Sequence, residues 1–261
     1  MLYPQFVMRP RSAWRGTRRL VEYDLSLVVY TDMLGFEELV RTRTANQLSK
    51  IIRVFQEVMD TRIYRQRRQG VPPEYIMNFS DLTVFSTPVR KSHFPAKGAV
   101  FFQLLGLVHA QVSLAHEEGI VVRGGVTIGD VVKSHKQLYG PGVIDAYRIE
   151  SKTAKYPRIV VDRSVLNELA GNENLCIHDR EDELNAVNGL LRKDEEDGIL
   201  YVDYLRVIQG ECEGREFEDF AEKHDALIKM RLQQYSGDIA VREKYEWLRR
   251  YHNSTLKMLG S

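Results

Sequence analysis

The sequence predicts an α+β fold, a mixed sheet with helices packed against one face, on three observations. Apolar runs suited to strands alternate with stretches of helical periodicity, and the segment EYIMNFSDLTVFST (74–87) reads as two short strands hinged at Ser80-Asp81. A stretch from about residue 216 to 258 carries apolar residues at helical spacing amid dense mixed charge. The resulting order, β-α-β-β-α-β with further α and β units, is that of ferredoxin-like folds.

Each element has a local reason. YDLSLVVYTD (23–32) is apolar enough for a buried strand, and residues 36–64 keep helical spacing up to RRQGVPPE, a turn rich in Gly and Pro. After the 74–87 hairpin, KGAVFFQLLGLVHAQVSLAHEEG predicts a second helix ended by Gly119. IVVRGGVTIGDVV (120–132) predicts a strand whose Gly124-Gly125 pair marks a bulge or a close backbone approach. YGPG opens a helix over about 142–153, RIVVD and GILYVDYLRV (198–207) read as strands, and the charged stretch from 216 closes the order.

Composition excludes several classes. With 261 residues, 43% hydrophobic and 28% charged, the chain supports one principal domain with an extension. Lys and Arg number 37 against 36 acids, a net charge of +1, so no global excess calls for nucleic acid or an anionic membrane. Two basic clusters, RPRSAWRGTRR (9–19) and RIYRQRRQG (62–70), read as a solvated tail and a solvated helix end. Cys176 and Cys212 make neither a disulfide framework nor a zinc site. The run AVFFQLLGLVHAQV, broken by Gln103 and His109, reads as too short to span a bilayer, and no signal-peptide core precedes it, so a cytoplasmic location is expected.

VVYTDMLGF (28–36) carries the chemistry. A carboxylate at the end of a buried strand is costly unless it meets a cation or several donors. Asp32 therefore either caps the helix beginning near Gly35 or holds metal. Asp81 sits in the hairpin expected beside that strand, so two carboxylates would converge at one sheet edge, next to the helix-start amides of Leu34, Gly35 and Phe36 that favour anions. Carboxylates beside phosphate-seeking amides describe a Mg²⁺ or Mn²⁺ nucleotide site.

VVYTDMLGF, NFSD, VRGGVTIGDV and YGPGVIDAYRIE, in this order, resemble the catalytic domain of class III nucleotidyl cyclases over roughly residues 22–165, with a looser continuation to about 207. The resemblance implies a mostly antiparallel class III cyclase fold: a basic segment at 1–21, a catalytic domain over 22–210 and a C-terminal helical extension over 211–261. It implies two divalent ions, Mn²⁺ or Mg²⁺, on Asp32, Asp81 and the main chain of Met33, and a triphosphate on the amides of Leu34, Gly35 and Phe36. It further implies that Arg148 acts on the developing charge at the α-phosphate, across a head-to-tail homodimer with composite sites.

Departures from the pattern narrow the substrate. The purine-reading positions of such cyclases are Met77 and Gln137 here, and Met77 offers no useful hydrogen bond to a purine edge. Ile144 stands where an asparagine is usual. Base contacts fall to Met77, Asn78 and Gln137, and the amides of Asn78 and Gln137 suit cytosine or uracil equally. The DMLGF opening, the RGG strand, the helix ending AYRIE and the PRIVVD strand most resemble the pyrimidine cyclases of Pycsar antiphage systems. That resemblance implies a cytoplasmic enzyme making cyclic CMP or cyclic UMP, read by a product-activated effector. A purine cyclase and a silent nucleotide-binding domain are the alternatives.

Overall fold

A computed structural model of the chain describes residues 22–59, 75–89, 97–134 and 137–260. The basic clusters at 9–19 and 62–70, with the 1–21 segment, lie outside them. Among the described residues one eight-stranded sheet runs β2-β3-β1-β4-β6-β8-β7, with β5 paired to β4.

At its centre is β1 (Asp24–Met33), antiparallel to β3 (Leu82–Pro88) on one side and to β4 (Val122–Ser134) on the other. Leu27, Val28 and Val29 are at most 1% exposed, which explains why β1 reads as a continuous apolar run. β2 (Tyr75–Phe79) and β3 form the expected hairpin, closed by the Phe79–Leu82 pair around Ser80-Asp81. Ser80 adopts φ 60, the left-handed conformation that reverses a chain in two residues. Beyond β4 follow β5 (Gln137–Tyr139), β6 (Ile159–Val161), β7 (Leu191–Lys193) and β8 (Leu200–Val202). β6 joins β4 in parallel, and the sheet's other pairs are antiparallel.

The predicted helix 36–64 is broken. α1 (Phe36–Thr42) ends at Arg43, which is extended, and α2 (Ala45–Met59) starts afresh; residues from 60 lie outside the described set. The cause is local: Thr44 and Gln47 form a reciprocal cap, the Gln47 side chain accepting from the Thr44 amide at 2.9 Å and the Gln47 amide donating to the Thr44 hydroxyl at 3.4 Å. The predicted strand 198–207 is also shorter. Only Leu200–Val202 pairs, and from Tyr204 the chain turns into α7 (Tyr204–Glu211).

α3 (Ala99–Ser113) continues as one wide π turn to Glu118 and lies against the sheet with Val100, Leu104, Leu107 and Val108 fully buried. Ala99–Glu118 is, against expectation, long and apolar enough to cross a bilayer; 61% of its most apolar window is buried inside the protein, as in the core helix of a soluble domain. α5 (Arg163–Gly171) and α6 (Arg180–Gly189) have no counterpart in the predicted order. Each opens on an aspartate cap, Asp162 accepting from the Ser164 amide and Asp179 from that of Asp182.

Helices do not confine themselves to one face. The main core lies on the side of Leu27, Val29 and Met33, whereas α4 (Pro141–Arg148) covers Val28, Val84 and Val131 on the other with Ala146. Gly124 and Gly125 mark the close backbone approach that the sequence suggests. A Cβ on Gly124 would stand 2.7 Å from the Tyr30 carbonyl oxygen, and one on Gly125 2.6 Å from that of Ala146. The C-terminal helices α8 (Glu216–Gln234) and α9 (Ile239–Leu259) join the main core: the Trp247 indole donates to Asp194, and the Tyr251 hydroxyl to Asp203.

Candidate functional site

Strand alternation decides which residues share the site. Val28, Tyr30 and Asp32 point to the α4 side of the sheet, while Leu27, Val29, Thr31 and Met33 face the main core. Cross-strand pairing carries this face outward: Asp32 lies opposite Leu82 on β3 and Arg123 on β4, and Tyr30 lies opposite Val84, itself opposite Met77. Because Leu82 is opposite Asp32, the turn residue Asp81 comes to the same strand end.

The two carboxylates meet as their placement in sequence predicts. Asp32 and Asp81 stand close enough that the charge of Asp81 disfavours ionisation of Asp32. Burial is the main force pushing the Asp32 carboxyl up to about 6; Arg123 pulls the other way, and the charges of Asp81 and Glu150 add to the rise. Two crowded carboxylates, one driven toward its protonated form, are a donor set that a hard divalent cation suits. Among the described residues no cluster of three acidic, His or Cys side chains is placed to hold a metal. The remaining ligands would be substrate oxygens, backbone carbonyls or water, as is usual for Mg²⁺.

Arg123 and Glu150 complete the cluster, and neither is a site residue on sequence grounds. Arg123 donates from Nη2 to Asp32 Oδ2 at 3.0 Å, and its Nε stands 2.6 Å from Glu150 Oε1. Glu150 is 3% exposed. Burial raises its carboxyl, opposed by Arg123. The signal for Arg123 is its position opposite Asp32 across β1 and β4, visible only once those strands are paired.

The amides predicted for phosphate divide. Leu34 N–H donates to the Val121 carbonyl at 2.9 Å and is therefore not a free donor, which corrects the expectation. Gly35, at φ 81, is the cap from which α1 departs, no side chain caps it, and its carbonyl receives the amides of Glu38 and Leu39. The amides of Gly35 and Phe36 precede the first intrahelical donors.

The base-reading candidates separate. Met77 shares the face of Tyr30 and Asp32, whereas Asn78, opposite Thr83, stands on the main-core face with Thr31, so strand alternation removes it from the site. Gln137, on β5, pairs with Ser134 at the far end of β4, away from Arg123 and the two aspartates of its own chain. Arg148 also stays apart from them: it is exposed, with Asp145 as its ionic partner at 3.3 Å. Ile144 and Tyr147 of the same helix are about half exposed, and the Tyr147 ring meets Tyr30 edge-on at 5.5 Å. Arg192 is tied to α9 through Ser254 and Thr255.

No protein-family model matches the chain, and no curated protein matches it in sequence. Among solved structures it is similar to the adenylyl cyclase CyaB from P. aeruginosa, at 11% identity and a TM-score of 0.44 over 70% of this chain and 95% of that one. A bacterial light-regulated adenylyl cyclase aligns at 14% identity and a TM-score of 0.43, over 72% and 96%. An adenylate/guanylate cyclase/hydrolase from Silicibacter pomeroyi aligns at 20% identity and a TM-score of 0.40, over 69% and 95%. The likeness is partial in each case.

Proposed function

We propose that this chain is a nucleotidyl cyclase of the class III type that converts CTP or UTP to the 3′,5′-cyclic monophosphate and pyrophosphate. The observation that carries the proposal is the convergence of Asp32 and Asp81 at one strand end, beside the uncapped turn at Gly35. Two divalent ions on this pair would supply the positive charge that makes the ribose 3′-hydroxyl nucleophilic and balances the departing pyrophosphate. The chain's own part is to place the groups. Asp32 and Asp81 hold the cations, the amides of Gly35 and Phe36 receive phosphate oxygens, and Met77 lines the same face without offering a purine edge any hydrogen bond.

Arg148 and Gln137 belong to the site of the partner subunit in this reading. Both are exposed and removed from their own chain's aspartates. A second copy docked on the face bearing Tyr139, Ile144 and Tyr147, each about half exposed, would bring an arginine to the α-phosphate. The product would act as a second messenger in bacterial antiphage defence, on an effector it activates, with the enzyme in the cytoplasm.

The test is incubation of the purified protein with ATP, GTP, CTP and UTP separately, with Mn²⁺, and identification of products by mass spectrometry beside an Asp32→Ala control. Cyclic CMP or cyclic UMP lost in the control is the expected result. A cyclic purine product would refute the substrate assignment, and no cyclic product from any of the four would refute the reaction.

A further inference from the structure

A groove outside the candidate site combines three kinds of lining. α8 and α9 pack together and, with the end of α7, border a cavity of about 600 Å³ lined by apolar Phe217 and Leu256 and, along α8, by Glu218, Glu222 and Asp225. Glu218 and Glu222 are like charges at the i,i+4 spacing, which is unfavourable, and among the described residues neither has an ionic or hydrogen-bonding partner. Asp225 has Lys229 at 2.5 Å.

His252 also lines the groove, although it is only 3% exposed. Among the described residues Tyr204 Oη has one partner, His224 Nε2 at 2.7 Å, so the buried hydroxyl donates there. His224 therefore carries its proton on Nδ1 and donates it to His252 Nδ1 at 3.0 Å, which leaves the His252 proton on Nε2, on the ring edge turned away from His224. That N–H has no acceptor among the described residues, and a donor left unpaired at a buried ring is costly.

An occupant that suits all three kinds of lining brings cations to the α8 wall, a carbonyl oxygen to His252 and an aromatic or apolar group to Phe217 and Leu256. A metal ion supplies only the first. A peptide with arginines and an aromatic residue supplies all three. This chain contains such a segment, so far without a role: RPRSAWRGTRR (9–19), outside the described residues, has five arginines, Trp14 and no acid. The thirteen residues from Arg9 to Val21 lead into the first described residue and reach up to about 45 Å, close to the width of a domain of this length, whose radius of gyration is about 18 Å.

We propose that the α8–α9 groove is the docking site of segment 9–19 of the same chain, with arginines on Glu218 and Glu222, a main-chain carbonyl on His252 and Trp14 against Phe217 and Leu256. Tethering sets the effective concentration of the segment on the order of millimolar, so individually weak contacts hold it. The proposal is independent of the cyclase reading, because none of these residues belongs to the Asp32–Asp81 site.

The test uses the full chain with fluorotryptophan in place of tryptophan, read by fluorine NMR, in which only Trp14 and Trp247 report and Trp14→Phe assigns the two resonances. A nitroxide on Lys257→Cys, an exposed position next to Leu256, in a Cys212→Ser background, is expected to remove most of the Trp14 signal. The signal is expected to return in Glu218→Gln/Glu222→Gln, and the Trp247 resonance, recorded after the nitroxide is reduced, verifies the fold. A Trp14 signal that the nitroxide leaves unchanged overturns the proposal, as does a loss that persists in the folded acid-neutral variant. A loss that appears equally when spin-labelled, unfluorinated chains are mixed with fluorinated, unlabelled ones puts a second copy's segment in the groove and overturns the same-chain assignment. Should the acid-neutral variant not fold, Arg15→Gln/Arg18→Gln/Arg19→Gln decides: the Trp14 signal must return, and its continued loss overturns the proposal.

Discussion

Lowering the pH from 7.5 to 5 should destabilise the protein through one buried histidine pair. The Tyr204 hydroxyl lies 2.7 Å from His224 Nε2, and His224 Nδ1 lies 3.0 Å from His252 Nδ1, so a single proton fits between the two rings. Burial first, and then the neighbouring His252, bring the His224 pKa down from 6.5 to about 3. A lowered folded-state value means that between about pH 6.5 and 3 the unfolded chain binds a proton that the native one refuses, so stability is lost as pH falls through that window. Each pH step of one below 6.5 costs about 1.4 kcal/mol, so the loss reaches about 2 kcal/mol at pH 5 for His224 alone. The His252 pKa is lowered too, again mainly by burial, and adds to the loss. Asp32 and Glu150, whose carboxyls are raised, bind protons more readily when folded and oppose the trend. The assay therefore compares urea unfolding of wild type and His224→Gln at pH 7.5 and at pH 5, since the difference in pH dependence isolates His224. A variant whose stability falls with pH as steeply as that of wild type would refute the assignment of a neutral, buried imidazole.

Other perturbations have expected outcomes of their own. Asp81→Ala should abolish cyclic-nucleotide formation while leaving the thermal transition near that of wild type, read by mass spectrometry and calorimetry. Arg158→Met should cost about 3–5 kcal/mol in denaturant unfolding, because Arg158 is fully buried between Asp194 and Asp197 and its loss strands the 8%-exposed Asp194. Gly125→Ala should cost about 1–3 kcal/mol in the same assay, its new Cβ meeting the Ala146 carbonyl oxygen at 2.6 Å. Tyr235→Phe removes one of three donors to Glu38, the others being Arg231 and Gln234, and should lower stability by about 1 kcal/mol.

Local signals make much of the fold legible. The buried run of β1, the Ser80-Asp81 hairpin and the Gly-Pro start of α4 are readable because each is set by neighbours within a few residues. The break between α1 and α2 is also present, as the Thr44–Gln47 cap, but the helical spacing continues through it. Residues 200–211 mislead because an apolar run suits a short strand and a helix alike, and pairing to β7 ends the strand after three residues. For the candidate site, sequence alone determined that Asp32 lies at the end of a buried strand, that Asp81 lies at a hairpin tip, and that position 77 carries a thioether, a weak acceptor at most. Tertiary structure decided the rest: it brought the two aspartates together, turned Asn78 to the other face, gave the Leu34 amide to the Val121 carbonyl, and set Arg123 between Asp32 and Glu150. The physical reason is strand register. Side chains alternate faces residue by residue, so which strands pair, and at which offset, determines which charges meet, and no run of sequence states that offset.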